Sequence, residues 1–360
     1  MTQDATTLLP DWASPPGDTL ADLLDERDMT QTELAERLGV TLKHVNRVIK
    51  GAATISADLA LGLEKVFGAS AAFWMTREAH YQAALARHGQ RQSFAEAVGW
   101  AKQFPINELR KREILPREAE GPELVEQLLS FLGIAHPEQW KEPQVAYRKS
   151  QKFDSDQFAL ATWLREGERQ AAELECEPYD EDRFVEVLQE ARSLTRLAPE
   201  AWWPELQSRC ARAGVAVVLV DVYKGAKANG ATRWLAPDKA LIQLSLRYGW
   251  EDIFWFSFFH EAGHVVLHRK KDVFVEVAGK DRSTDPHEQQ LEAEADRFAA
   301  RALIPPPHDK RLVSLNLQDV EAFAQMLDIA PAIVVGRMHH EEILPWNQGN
   351  GYRRRLKFVG

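Results

Sequence analysis

Hydrophobic positions near the N-terminal end recur at helical spacing and are divided by residues that start or end helices. Thr30 precedes one apolar run, and Glu33 follows three residues later, so the pair matches a capping box. Gly39 is placed to end that helix, and Thr41 is placed to begin the next. The pattern predicts five short helices over 17–85.

The rest of the chain changes character twice. Residues 93–196 are helical in pattern and charged, and prolines interrupt them. Residues 214–223 are rich in β-branched side chains and predict a buried strand, and the alternation over 240–246 predicts another. An apolar run at 254–259 then leads into a helix that carries two histidines.

Composition fits a folded protein of more than one domain. A chain of 360 residues exceeds what one core usually fills, so two domains, or two and a helical connector, are expected. Hydrophobic residues make up 45% and charged residues 27%, which disfavours wholesale disorder. The net charge of −10 opposes nonspecific nucleic-acid binding by the whole surface, but it leaves room for a local basic patch.

Cysteine usage and the chain start bear on the compartment. Cys176 and Cys210 lie far apart and have no partner motif, so a reducing compartment fits better than a disulfide framework. The segment Met1 to Asp11 lacks the pattern of a signal peptide, and the longest apolar run is too short to span a bilayer. We expect a cytoplasmic protein without a membrane partner.

The third predicted helix has a basic outer face. Between Thr41 and Gly51 there are three cations and no acid. Lysine and arginine on this face can donate hydrogen bonds to guanine edges or phosphates, and asparagine can pair with adenine. A glutamine at a helix N-terminus can contact a phosphate. The candidate DNA contacts are Gln31, Lys43, His44, Asn46, Arg47 and Lys50.

The run TQTELAERLGVTLKHVNRVIKG resembles the lambda-repressor-like helix-turn-helix family. With the following ISADLALGLEKVFGASAAFWMTREAHYQ it is most similar to the HigA antitoxin branch. The resemblance implies operator DNA as a partner. Because such domains usually bind two half-sites as dimers, it also implies a homodimer.

His260 and His264 lie four residues apart, so on a helix both imidazoles leave one face and can share one ion. Glu261 would then lie beside a bound water and could take its proton. A third protein ligand is needed, and Glu292 and Asp296 are four residues apart on a later helix. One can ligate while the other orients a histidine.

The runs FSFFHEAGHVVLH and EAEADRFAARALIP resemble the ImmA/IrrE family of zincin-type metallopeptidases. That resemblance implies Zn²⁺ as cofactor and Glu261 as general base. It implies His260, His264 and Glu292 as the zinc ligands. Asp296 and His268 are expected to support the site by hydrogen bonds rather than to bind the metal.

The sequence thus predicts a multidomain fold, with an all-α helix-turn-helix domain and an α+β zincin-like domain that contains a small mixed sheet. The predicted segments are a flexible N-terminus (1–16), a helix-turn-helix domain (17–85), a helical connector (86–144), a metallopeptidase domain (145–345) and a basic C-terminal tail (346–360). The tail's cluster, Arg353 to Lys357, is expected to be a solvated terminus rather than a contact for DNA or a partner.

Two functions are compatible with these features. The first is a transcriptional regulator whose peptidase domain cleaves a repressor, a toxin or its own chain, with the substrate bound by strand addition at 240–246. The alternative is a HigA-like antitoxin or autorepressor whose zinc domain is a non-catalytic sensor or a module that binds a cognate toxin or repressor. Sequence alone does not separate retention of the site from turnover.

Overall fold

The computed structural model describes residues 14–140, 156–268, 274–277, 285–306 and 308–357. The chain divides into two compact units, Met1–Val98 with Glu120–Glu126, and Gly99–Ala119 with Gln127–Gly360. Most of the flexible segment predicted at 1–16 lies outside the described residues, and so does the boundary predicted at 144/145. The domain limits therefore stay predictions.

The N-terminal unit is helical, and its helices begin where the capping residues predict. Glu33 N donates to Thr30 Oγ1 at 3.2 Å and Thr30 N donates to Glu33 Oε2 at 2.8 Å, which confirms the capping box. Gly39 ends the second helix in the left-handed conformation. Its helices are α1 (Pro16–Glu26), α2 (Gln31–Leu38), α3 (Leu42–Ile49), α4 (Ala57–Phe67) and α5 (Ala71–Ala101). The prediction that all five are short is wrong for α5, which has 31 residues and continues past residue 85.

One apolar core holds α1 to α5 of this unit together. Each fully buried aliphatic side chain in it contributes roughly 1.5–3 kcal/mol. Gly17 brings α1 close to α3, because a Cβ at this position would come within 2.3 Å of the Ile49 carbonyl oxygen. Core members include Leu20, Leu34, Val45, Val48, Leu63 and Trp74. Leu34 on α2 and Val45 and Val48 on α3 are buried, as the helical spacing of the apolar positions predicts.

Further helices precede the sheet. They are α6 (Ile106–Lys111), α7 (Gly121–Leu132), α8 (Gln157–Glu173), α9 (Glu181–Leu194) and α10 (Pro199–Arg212). Within the C-terminal unit, Phe104 packs edge-on against Trp140 and Phe158, with ring centroids 4.9 and 5.0 Å apart. These aromatic contacts fix the short 3₁₀ helix Pro137–Trp140 against the start of α8.

The described part of the C-terminal unit contains a four-stranded mixed sheet. Its strands are β1 (Val215–Leu219), β2 (Ala228–Ala236), β3 (Lys239–Leu244) and β4 (Phe274–Val277). The sheet confirms the predicted small mixed sheet and adds two strands, β2 and β4, that the sequence did not predict. Their order is β1-β3-β2-β4, with β1 parallel to β3 and the other pairs antiparallel. The prediction that 240–246 binds a peptide by strand addition is wrong, because β3 already pairs on both sides.

Two helices complete the core beside the sheet, α11 (Glu251–Leu267) and α12 (Pro286–Leu303). The predicted apolar run on α11 is buried at Phe254, Trp255, Phe258 and Phe259, as expected of a helix that is apolar on nearly every side. Gly263 lets α12 approach closely, since a Cβ there would meet the α-carbon of Ala295 at 3.3 Å.

The C-terminal arginines are part of the fold, which corrects the prediction of a solvated tail. Arg353 is buried and donates to both carboxylate oxygens of Asp252, at 2.9 and 2.8 Å. Arg354 Nε donates to Glu251 Oε2 at 2.6 Å. Glu251 and Asp252 are buried in the first turn of α11, so water cannot solvate their carboxylates. The positive charges of Arg353 and Arg354 compensate for this loss of solvation. The tail follows α13 (Val320–Leu327) and α14 (Pro331–His340).

None of the described helices combines the length and the apolar character that a bilayer-crossing segment requires.

Candidate functional sites

Helices α11 and α12 bring three side chains with metal-ligating atoms to one point. The ligating atoms of His260, His264 and Glu292 all lie within 4.8 Å of one another. The Nε2 atoms of the two histidines are 3.0 Å apart. They lie 3.2 and 3.6 Å from oxygens of the Glu292 carboxylate. The structure thus brings together the three residues that the sequence proposed as ligands.

The outward ring nitrogens of both histidines are held by further side chains. His260 Nδ1 lies 3.0 Å from Asp296 Oδ1. His264 Nδ1 lies 2.8 Å from His268 Nδ1, and His268 Nε2 lies 3.3 Å from Glu294 Oε2. If each imidazole donates its outward proton along these contacts, both ligating Nε2 atoms keep a lone pair for a metal. Asp296 and His268 therefore lie where the sequence expects supporting residues.

Electrostatics distinguish the two histidines. Burial disfavours a charged His260, but hydrogen bonds to Asp296 and Glu292 raise its pKa well above the ordinary value. Burial and the neighbouring His260 and His268 lower the pKa of His264 well below it. Two buried imidazoles and one carboxylate that converge on one point are the ligand set of catalytic zinc sites. The residues present therefore fit a zinc ion.

Glu261 lies directly beside this triad and is fully buried. Thr232 Oγ1 donates to its Oε2 at 2.6 Å, whereas its Oε1 has no hydrogen-bond partner among the described residues. Burial raises the pKa of Glu261 to about 8 and outweighs the opposing effect of nearby His260. One oxygen is thus fixed while the other is free to exchange a proton.

Sequence reasoning missed the strand residues that hold this arrangement. Gly230 leaves room for the Glu261 carboxyl group, because a Cβ there would come within 2.6 Å of Oε1. The Phe274 ring stacks on the His264 imidazole with centroids 3.9 Å apart. Only the small side chains around Gly230 hint at a close approach in the sequence; Thr232 and Phe274 carry no local signal.

The α3 helix presents most of its predicted polar residues. Lys43, Arg47 and Lys50 are exposed, and Asn46 is half-buried with its Nδ2 3.3 Å from Gln31 Oε1. That contact ties the start of α2 to the middle of α3.

Two features of this surface were not predicted from the sequence. Arg47 donates to the Ala52 carbonyl oxygen at 3.0 Å, so part of its guanidinium serves the turn after α3. Leu42 is 46% exposed at the start of α3. An exposed apolar side chain at this position suits a thymine methyl group. His44, the remaining candidate, is half-buried.

Comparison with solved structures found short chains that match about a quarter of this protein. A HigA-family addiction module antidote protein from Coxiella burnetii is 31% identical over 24% of this chain and 95% of its own, with a TM-score of 0.22. The Pseudomonas aeruginosa antitoxin HigA, solved with the higBA promoter, is 32% identical over 23% of this chain and 90% of its own, with a TM-score of 0.22. PA4674 from Pseudomonas aeruginosa, solved with 28-base-pair operator DNA, is 31% identical over 24% and 98%, at 0.23.

Family models match two regions of the chain. The helix-turn-helix family matches residues 20–74, and the IrrE N-terminal-like domain family matches residues 251–325. No curated protein matches the chain. The second match begins with α11 and includes every side chain of the metal triad. The chain therefore fuses a helix-turn-helix DNA-binding region to an IrrE N-terminal-like domain of a peptidase family.

Proposed function

We propose that this protein is a DNA-binding transcriptional regulator whose C-terminal domain is a zinc-dependent endopeptidase. Its substrate is a regulatory protein, namely a repressor, a toxin or the chain itself. The observation that carries the proposal is the free oxygen of Glu261 beside His260, His264 and Glu292. A purely structural zinc site does not require this oxygen, and burying a carboxyl oxygen without a hydrogen-bond partner costs free energy. That cost is understandable if the group handles a proton.

Three side chains would hold the zinc ion, through His260 Nε2, His264 Nε2 and the Glu292 carboxylate. Zinc bound there would supply Lewis acidity to a water molecule and to a peptide carbonyl group. Asp296 and His268 keep the two imidazoles in the orientation and tautomer that binding requires.

Glu261 acts as the general base. Thr232 fixes its Oε2, so the free Oε1 accepts a proton from the attacking water and passes it to the departing amine. Burial raises the pKa of this carboxyl group, which favours holding the proton until it is passed to the amine.

The substrate peptide would lie along β4. This strand is at the edge of the described sheet and is beside the triad, since Phe274 stacks on His264. An edge strand offers unpaired backbone groups for strand addition, which the interior β3 does not.

DNA binding is assigned to α3, working as one half of a homodimer on operator DNA with two half-sites. Lys43, Arg47 and Lys50 would contact phosphates or guanine edges. The contact between Asn46 and Gln31 would fix the asparagine for adenine while the glutamine lies at the N-terminus of α2, near a phosphate.

The decisive test of the enzyme compares wild type with Glu261→Gln. Both proteins should bind one zinc ion, because Glu261 is not a ligand, whereas His260→Ala should lose it. Each is then incubated with the proteins encoded beside it, and products are identified by mass spectrometry. Cleavage by wild type alone supports the proposal. Equal zinc content with no cleavage of any neighbour would favour the antitoxin or autorepressor with a non-catalytic zinc domain.

The DNA-contacting helix is tested by Lys43→Ala/Lys50→Ala in a binding assay with the DNA upstream of the coding sequence. Both lysines are exposed on α3 or at its C-terminal end, so their loss should leave the fold intact and abolish binding at moderate salt. Lys310→Ala, an exposed lysine of the C-terminal unit, is the matched control. Unchanged affinity of the double variant would remove α3 from the interface.

A further inference from the structure

Two side chains next to Glu261 have no part in the chemistry described above. Glu276 is on β4 and Asn229 is on β2, and Asn229 Nδ2 donates to Glu276 Oε1 at 3.3 Å. Glu276 pairs with Gly230, and a Cβ on Gly230 would come within 2.6 Å of Glu261 Oε1, so the two carboxyl groups belong to one part of the sheet.

Sheet geometry explains this position. Gly230 pairs with Glu276 and Thr232 pairs with Phe274. Since alternate residues share a face, Glu276 lies on the face of β4 that carries Phe274 towards α11. The register shifts between Ala228 and Gly230, and such an irregularity re-aims a side chain. Here the re-aimed side chain is Asn229, which contacts Glu276.

Asn229 and Glu276 each have an acceptor oxygen that no described donor satisfies. Asn229 is only 8% exposed, and its Oδ1 is buried without a hydrogen-bond partner among the described residues. Glu276 Oε2 and Glu261 Oε1 are also buried without a hydrogen-bond partner in the part of the chain that the structure describes. Buried acceptors are nearly always satisfied, so the missing partner should carry several donors. A cation fits better than a neutral amide, because it also balances the carboxylate charge.

We propose that Glu276 and Asn229 form a specificity pocket for a basic side chain, lysine or arginine, adjacent to the scissile bond. This inference rests on the proposed peptidase function and names its substrate class. The ammonium or guanidinium group donates to Glu276 Oε2 and Asn229 Oδ1. The substrate backbone lies along β4, which carries Glu276. Glu276 and Asn229 therefore select the substrate and take no part in proton transfer.

The test uses two zinc-binding probes, Nα-acetyl-lysine hydroxamate and Nα-acetyl-norleucine hydroxamate, which differ only in the terminal ammonium group that lysine carries and norleucine lacks. Their binding to the zinc-loaded full-length protein is measured by calorimetry, so no turnover is needed. Wild type should prefer the lysine probe by about tenfold, which corresponds to about 1.4 kcal/mol. In Glu276→Gln the preference should fall to about twofold or less. Affinity for the norleucine probe should stay the same.

Glu321→Gln, an exposed carboxylate on α13, is the matched control and should keep the full preference. Zinc content and thermal unfolding of each variant verify that the site is intact. Equal affinities of wild type for both probes would overturn the pocket while leaving the metal centre standing. A preference that persists in Glu276→Gln would overturn it as well. If neither probe binds and no zinc is retained, the proposed peptidase falls with it.

Discussion

Replacing Arg353 by methionine should destabilise the C-terminal unit strongly. In the native structure the guanidinium donates two hydrogen bonds to Asp252, and the two side chains are only 2% and 6% exposed. Asp252 also lies tightly against α14, since a Cβ on Gly336 would come within 2.4 Å of its Oδ2. Arg353→Met keeps most of the side-chain length but leaves the carboxylate buried without its partner.

The expected cost follows from that burial. Removing one member of a buried ion pair costs about 3–5 kcal/mol, because the remaining charge stays desolvated. The pair of Arg183 and Glu177 has a similar separation of 3.0 Å, but its side chains are 43% and 58% exposed. Arg183→Met should therefore cost no more than about 1 kcal/mol. The difference between the two variants isolates the effect of burial.

Urea unfolding followed by tryptophan fluorescence measures both variants. Trp202 and Trp255 are buried in the core around α11, with centroids 4.8 Å apart, and report its loss. The double variant Asp252→Asn/Arg353→Met should recover part of the stability, because it removes the stranded charge. If Arg353→Met costs no more than Arg183→Met, the tail does not neutralise the first turn of α11.

Three further variants test other parts of the structure. Gly230→Ala should abolish peptide cleavage but retain zinc, because the new methyl group displaces the Glu261 carboxyl group; retained cleavage would refute that role. Burial raises the pKa of Glu251 in the folded state, so its stabilising contribution is fully present below the unfolded pKa of 4.5 and is lost as pH rises through the folded pKa. The unfolding free energy of wild type relative to Glu251→Gln should therefore decrease as pH rises above 4.5, and a constant or increasing difference would contradict the sign. Thr30→Ala removes the capping hydrogen bond and should cost the N-terminal unit about 1 kcal/mol in thermal unfolding, whereas exposed Thr32→Ala should cost less.

The sequence by itself determined the parts of this protein that depend on neighbours along the chain. A capping box spans three residues, so Thr30 and Glu33 were sufficient to place the start of α2. A spacing of four residues puts His260 and His264 on one helix face whatever surrounds the helix. The same rule assigned Glu292 and Asp296 to one face of α12, where one contacts the ligating nitrogens and the other the outward nitrogen of His260.

Only the tertiary structure decided features that depend on distant segments meeting. Strand order made β3 an interior strand, and alternation of hydrophobic residues is the same for interior and edge strands. Gly230, about thirty residues before Glu261, makes room for its carboxyl group. The small residues around Gly230 hint at a close approach but do not identify the side chain that approaches. Arg353 became structural because Asp252, 101 residues earlier, is buried beneath it. Burial of a charge is tolerated only when an oppositely charged partner is buried with it. The sequence does not show which residue that partner is, so it predicts that the charged side chain is solvated.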